Sequence, residues 1–92
     1  MREVSVTVTN GLGLHARAAV KLVKLSQRFR SEILLTRDDL GLTADAKSIL
    51  SVLQLAVTRG VVVRISISGD DEPDAADALR ELFLTGFGEK DL

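Results

Sequence analysis

Residues 61–68 impose the strongest constraint on how this chain can fold. Val61, Val63, Ile65 and Ile67 fall on one side of an extended backbone, and Val62, Arg64, Ser66 and Ser68 on the other. Successive strand side chains point to opposite faces, so this segment needs a sheet with one packed face and one face open to water. Antiparallel sheets permit that arrangement. With 92 residues and no cysteine, the chain has room for one modest core and no disulfide or thiolate-bound metal to substitute for it.

The other segments fit the same sheet. Val4, Val6 and Val8 alternate with polar residues, and residues 10–13, with two glycines, break that strand. Over 16–29 the apolar spacing becomes helical, with Ala16, Ala19, Leu22, Val23 and Phe29 on one broad face. A short strand follows over 32–36 with Ile33 and Leu35 inward, then a turn at Arg37-Asp38-Asp39 and a return strand over 40–44. A second helix is expected over 47–58, closed by Gly60. A third begins after the acidic run Asp70-Asp71-Glu72, with Pro73 in its first turn and Ala75, Ala78, Leu79 and Leu82 buried. Gly86 and Gly88 end it, and residues 86–92 are expected to form a frayed tail. The order is βαββαβα: an α+β, open-faced two-layer sandwich, with a four-stranded antiparallel sheet and three helices on one face, in a single domain over 1–92.

Composition narrows the function classes. Twelve Lys and Arg against thirteen Asp and Glu give a net charge of −1, unlike the basic footprint that nucleic-acid binding needs. There is no Tyr or Trp, and three Phe make a poor platform for stacking bases. One histidine without a dense carboxylate cluster argues against a transition-metal site, and no cofactor is expected. The N-terminus reads as a strand and not as a signal peptide, and no apolar run approaches the ~18 residues of a membrane span. The expected address is the cytoplasm, without membrane insertion.

The single histidine, His15, lies in Gly13-Leu14-His15-Ala16-Arg17, where the first strand gives way to the first helix. A helix N-terminus presents outward N–H groups that accept an anion, and neutral imidazole is a nucleophile near pH 7. Arg17 adds a guanidinium two residues on. The segment can therefore take up a phosphoryl group, or be a plain strand-to-helix connection around a surface or core histidine.

The second helix has an apolar surplus. Ile49, Val52, Leu53 and Ala56 fit one sheet-facing stripe, leaving Leu50 and Val57 toward the flank or solvent. They indicate a deeply seated helix or a small docking patch. At its start Ser48 is placed as an N-cap, a position that also tolerates a phosphate.

With these residues in place the chain resembles the HPr family, the histidine phosphocarriers of the bacterial phosphotransferase system. The resemblance runs through Thr9-Asn10, Gly13-Leu14-His15-Ala16-Arg17, Leu22-Val23, Phe29, Lys47-Ser48-Ile49, Gly60, Gly69 and the ending from Ala78-Leu79 to Phe83. Lys21-Leu22, the 25–27 stretch and the ending Leu82-Phe83 to Gly86-Phe87-Gly88-Glu89 look more like NPr, the carrier type of the nitrogen-related branch. Lys47-Ser48-Ile49 looks equally like the serine-regulated HPr proteins.

The resemblance implies that His15 accepts phosphate on its δ nitrogen from enzyme I and passes it to a IIA-type protein or domain. Arg17 would pair with the phosphate, the N–H groups of Ala16 and Arg17 would complete the cradle, and Ser48 would be the regulatory serine of HPr kinase/phosphorylase. It also implies a monomer that partner enzymes act on. Where the family has Gly-Leu-His-Ala-Arg-Pro, this chain has Ala18, which loosens the first helical turn and leaves both chemical groups in place. A docking surface is expected around His15, from Leu14, Val20, Lys21, Lys24, Lys47, Ile49, Leu50 and Leu53. Two alternatives are a regulatory phosphoprotein acting through Ser48 alone and a ferredoxin-like interaction module, which would form no phosphohistidine.

Overall fold

A computed structural model describes residues 1–89. Four strands, β1 (Arg2–Thr7), β2 (Glu32–Arg37), β3 (Leu42–Asp45) and β4 (Val62–Ser68), form one sheet in the order β1-β4-β2-β3, antiparallel throughout. Helices α1 (Ala16–Ser26), α2 (Ile49–Gln54) and α3 (Glu72–Leu84) cover one face, and a short 3₁₀ turn, Gly86–Gly88, follows. The βαββαβα sandwich read from the sequence is the fold observed.

The alternation in β4 works as expected. Val63, Ile65 and Ile67 are wholly buried and pair with Val6, Val4 and Ile33, while Val62 on the other face is exposed. On that open face Arg64 donates to Glu3 at 2.5 Å and to Asp38 at 3.0–3.1 Å, stitching β1, β4 and the β2–β3 hairpin together. Beneath α1 and α3 the core is closed by Leu22, Leu79 and Phe83. Among the described residues no helix is long and apolar enough to cross a membrane.

Several boundaries differ from the sequence reading, three of them for a clear local reason. α1 stops at Ser26 instead of Phe29 because Arg28 and Phe29 bond back three residues, to Leu25 and Ser26, tightening the last turn. β3 begins at Leu42 because the turn extends through Gly41.

The largest difference is in α2, which ends at Gln54 and not at Thr58. The Arg37 guanidinium takes the carbonyls of Leu55 and Ala56 at 3.0 and 2.9 Å, and Ala56 turns left-handed at φ 51°. That turn sends Leu55 and Val57 into the core. Val52 stays buried, but Ile49 and Ala56 are exposed and Leu53 is half-buried, so the expected sheet-facing stripe is replaced by Val52, Leu55 and Val57.

Candidate functional site around His15

The loop from β1 to α1 is pinned immediately before His15. Gly13 donates to the Asn10 carbonyl at 3.1 Å, and Leu14 donates to the Val57 carbonyl at 3.0 Å. Gly13 runs so close to that strand of chain that a Cβ would lie 2.4 Å from the Val57 oxygen. Leu14 is then drawn into the core, 4% exposed. Burial removes it from the docking surface expected of it: the bond to Val57 holds it beneath the loop.

His15 is the N-cap of α1, with extended backbone angles, and its carbonyl accepts the Ala19 N–H at 2.8 Å. Its side chain makes no capping bond. The first-turn amides of Ala16, Arg17 and Ala18 therefore have no partner within the helix, as at any α-helix N-terminus. They are available to an anion in front of the helix.

The imidazole is held by a residue from the far end of the chain. Its Nε2 lies 2.6 Å from Oε2 of Glu89, and the ring is only 23% exposed. Oε1 of Glu89 accepts the Asn10 side-chain amide at 2.9 Å, and the same amide donates to the Gly13 carbonyl at 2.8 Å. The Asn10 amide foremost, then His15 and the nearby Arg17, hold the Glu89 carboxyl below the usual carboxylate range. An ionised carboxylate only accepts, so Nε2 is the donor in this pair. Nδ1 has no hydrogen-bond partner among the described residues.

This geometry corrects the expectation that a frayed tail begins at Gly86. Phe87 is buried and stands edge-on to Phe83, ring centroids 4.9 Å apart, and Lys21 donates to its carbonyl at 2.7 Å. Aromatic burial and that cation tie 86–88 to α1 and α3, which delivers Glu89 to His15. Residues 90–92 of the expected tail lie outside the described residues.

Arg17 is 70% exposed, with Nε 3.5 Å from Oε2 of Glu89. It stands beside the imidazole with its guanidinium in solvent and only a loose partner. Ala16 is exposed, and Ala18 is wholly buried. Ser48 is the N-cap of α2, its Oγ accepting the Ser51 N–H at a long 3.4 Å.

The remaining docking candidates divide. Leu50 is 73% exposed and Ile49 is exposed beside it, Lys24 is exposed, and Val20 and Leu53 are half-buried. Lys21 and Lys47 have their ammonium groups on the Phe87 and Phe29 carbonyls, so both act first as ties within the molecule. Sequence reasoning missed Glu89 as a partner of His15 and Asn10 as the group joining them. The only signal available was their presence in the segments that carried the family resemblance.

A lone imidazole at a helix N-terminus, backed by a carboxylate and flanked by an exposed guanidinium, on an open-faced βαββαβα sandwich, defines a small carrier-type domain. Residues 2–84 match the family model described as "PTS HPr component phosphorylation site". The chain is 47% identical to the phosphocarrier protein HPr of Xylella fastidiosa (strain Temecula1) over 89 residues, covering 97% of this chain and 98% of that protein. It is 41% identical to the phosphocarrier protein NPr of Escherichia coli (strain K12) over 85 residues, 92% of this chain and 93% of that one. The crystal structure of HPr-C-His from Thermoanaerobacter tengcongensis superimposes with a TM-score of 0.92 at 40% identity, covering 98% of this chain and 99% of that one. The chain belongs to the HPr family, the phosphocarriers of the phosphotransferase system.

Proposed function

We propose that His15 takes a phosphoryl group on Nδ1 from phosphorylated enzyme I and passes it to a IIA-type protein or domain in the cytoplasm. The observation that carries this reading is the 2.6 Å contact between Nε2 and Glu89, which commits one ring nitrogen and leaves the other for chemistry. As the N–P bond forms, charge withdrawn from the ring is balanced by the carboxylate behind it, as in other carboxylate–imidazole pairs. The amides of Ala16 and Arg17 face the phosphoryl oxygens, and Arg17 leaves its loose contact with Glu89 to pair with them. Phosphoryl transfer asks chiefly for positioning and charge neutralisation, and these groups supply both.

The acceptor belongs to the nitrogen-related branch on this reading. The ending Gly86-Phe87-Gly88-Glu89, which led to the comparison with NPr-type carriers, is also the segment against His15. Ser48 is a second point of control through HPr kinase/phosphorylase. Its N-cap position lets a phosphate sit at the start of α2 without unfolding it, and the bond it makes there is long enough to be given up.

Incubation with enzyme I, Mg²⁺ and phosphoenolpyruvate, followed by intact mass, tests the central claim. Wild type should gain one acid-labile phosphate and His15→Ala none. A folded wild type that gains nothing, or a gain that survives in His15→Ala, would overturn the assignment.

A further inference from the structure

We propose that Asn10 is a positioning residue for phosphoryl transfer, aiming His15 by gripping both the loop that precedes it and the carboxylate behind its ring. Its consequence for rate rests on the phosphocarrier reading above; its geometry does not. Asn10 is 2% exposed, and its side-chain nitrogen donates to two oxygens, the Gly13 carbonyl at 2.8 Å and Oε1 of Glu89 at 2.9 Å. The first bond fixes the backbone two residues before His15. The second fixes the carboxylate whose other oxygen takes the ring N–H at 2.6 Å.

The orientation of this amide follows from its neighbours. Turned the other way, Oδ1 would face two acceptors that cannot donate to it. As placed, Oδ1 is buried with no partner among the described residues. An apolar side chain of the same size would leave no such atom unpaired, so packing alone gives no reason for an amide here. Two donors on so short a side chain are available only from asparagine: serine has one, aspartate has none when ionised, and glutamine is longer by a methylene. Aspartate would also set a second carboxylate against Glu89.

The test uses the whole protein with a ¹⁵N-labelled histidine ring. In wild type the Nε2–H should give a downfield signal protected from exchange, and Asn10→Ala should lose it. The rate of phosphorylation by enzyme I should fall roughly ten- to hundredfold, the usual consequence of a displaced reacting group. Glu89→Gln should lower the rate by no more than Asn10→Ala, which also loses the Gly13 bond, and the two losses should be less than additive in the double variant because they share the Asn10–Glu89 contact.

A measurement that does not depend on the folding of Asn10→Ala is the Asn10 side-chain NH₂ signal, which should shift in Glu89→Gln. A folded Asn10→Ala that keeps the ring signal, or an Asn10 NH₂ signal unmoved by Glu89→Gln, overturns the proposal. Absence of any phosphate transfer to wild type would instead sink the carrier reading, while the ring signal would still decide the positioning role.

Discussion

Gly13→Ala should be among the most damaging single-methyl changes at a glycine of this chain, and Gly41→Ala is its internal control. Both glycines are left-handed, at φ 64° and 65°. A Cβ on Gly41 meets nothing within 4 Å, whereas one on Gly13 lies 2.4 Å from the Val57 oxygen and 2.8 Å from Thr58 Cα. The backbone cost of a left-handed alanine is about 1–2 kcal/mol, offset by about 0.5–1 kcal/mol from the reduced freedom of the unfolded chain, so Gly41→Ala should lose about 1 kcal/mol. At Gly13 the clash is with backbone on both sides, and relief requires the two segments to part by about 1 Å. That movement breaks the Leu14 N–H to Val57 bond of 3.0 Å in a buried setting, worth about 1–3 kcal/mol, and loosens Leu14 in the core.

The total for Gly13→Ala is about 3–5 kcal/mol, a large part of the roughly 5–14 kcal/mol that stabilises a domain of this length. Thermal and urea unfolding, followed by circular dichroism, should show Tm about 12–40 °C lower for Gly13→Ala and about 4–8 °C lower for Gly41→Ala. The difference between the variants isolates the steric contribution from the φ contribution they share. Equal losses would refute the claim that close approach to Val57 is what requires glycine before His15.

Two further outcomes follow from contacts away from the loop. The Asp71 carboxylate accepts the Ser31 hydroxyl and the Arg30 and Ser31 amides, with the Ser31 hydroxyl first among the groups that lower its pKa. A lowered folded pKa stabilises the protein above the unfolded carboxylate value of about 3.9 and loses that stabilisation as pH falls toward the folded one. Melting from pH 7 down to 2 should therefore show a shallower acid limb for Asp71→Asn than for wild type, and parallel limbs would exclude Asp71 from acid unfolding. Phe87→Ala should cost about 3–5 kcal/mol as a buried aromatic, and a loss under about 1 kcal/mol would show that residues 86–88 are not part of the core.

The parts of the fold legible in the sequence were those in which local pattern and tertiary environment agree. β4 alternates strictly because the sheet is packed on one face only, and the same period marks Ile33 and Leu35. Helix ends were less legible because distant groups determine them. Nothing near Leu55 signals that Arg37, eighteen residues earlier, will take its carbonyl and end α2 there. Extending the helical period through residue 58 then assigned Ile49 and Ala56 to the sheet and Val57 to the flank. The left-handed turn at Ala56 reverses the placements of Ala56 and Val57, and Ile49 is exposed at the first turn of α2.

The candidate site divides in the same way, and the division has a physical consequence. His15 and Arg17 could be named because one helix start holds both, whereas Glu89 is 74 residues from His15 and follows two glycines that read as an ending. What returns it to the site is Phe87, whose ring is packed against Phe83, and Lys21, whose ammonium group takes the Phe87 carbonyl. The same short segment thus closes the core and supports the imidazole, so the two cannot vary independently. Loosening Phe87 frees the backbone that carries Glu89, and freeing Glu89 leaves His15 without its ring partner. Phe87→Ala should therefore lose the protected ring Nε2–H signal even at temperatures where the rest of the domain stays folded. Retention of that signal in a folded Phe87→Ala would show that Asn10 alone is enough to hold Glu89 against the ring.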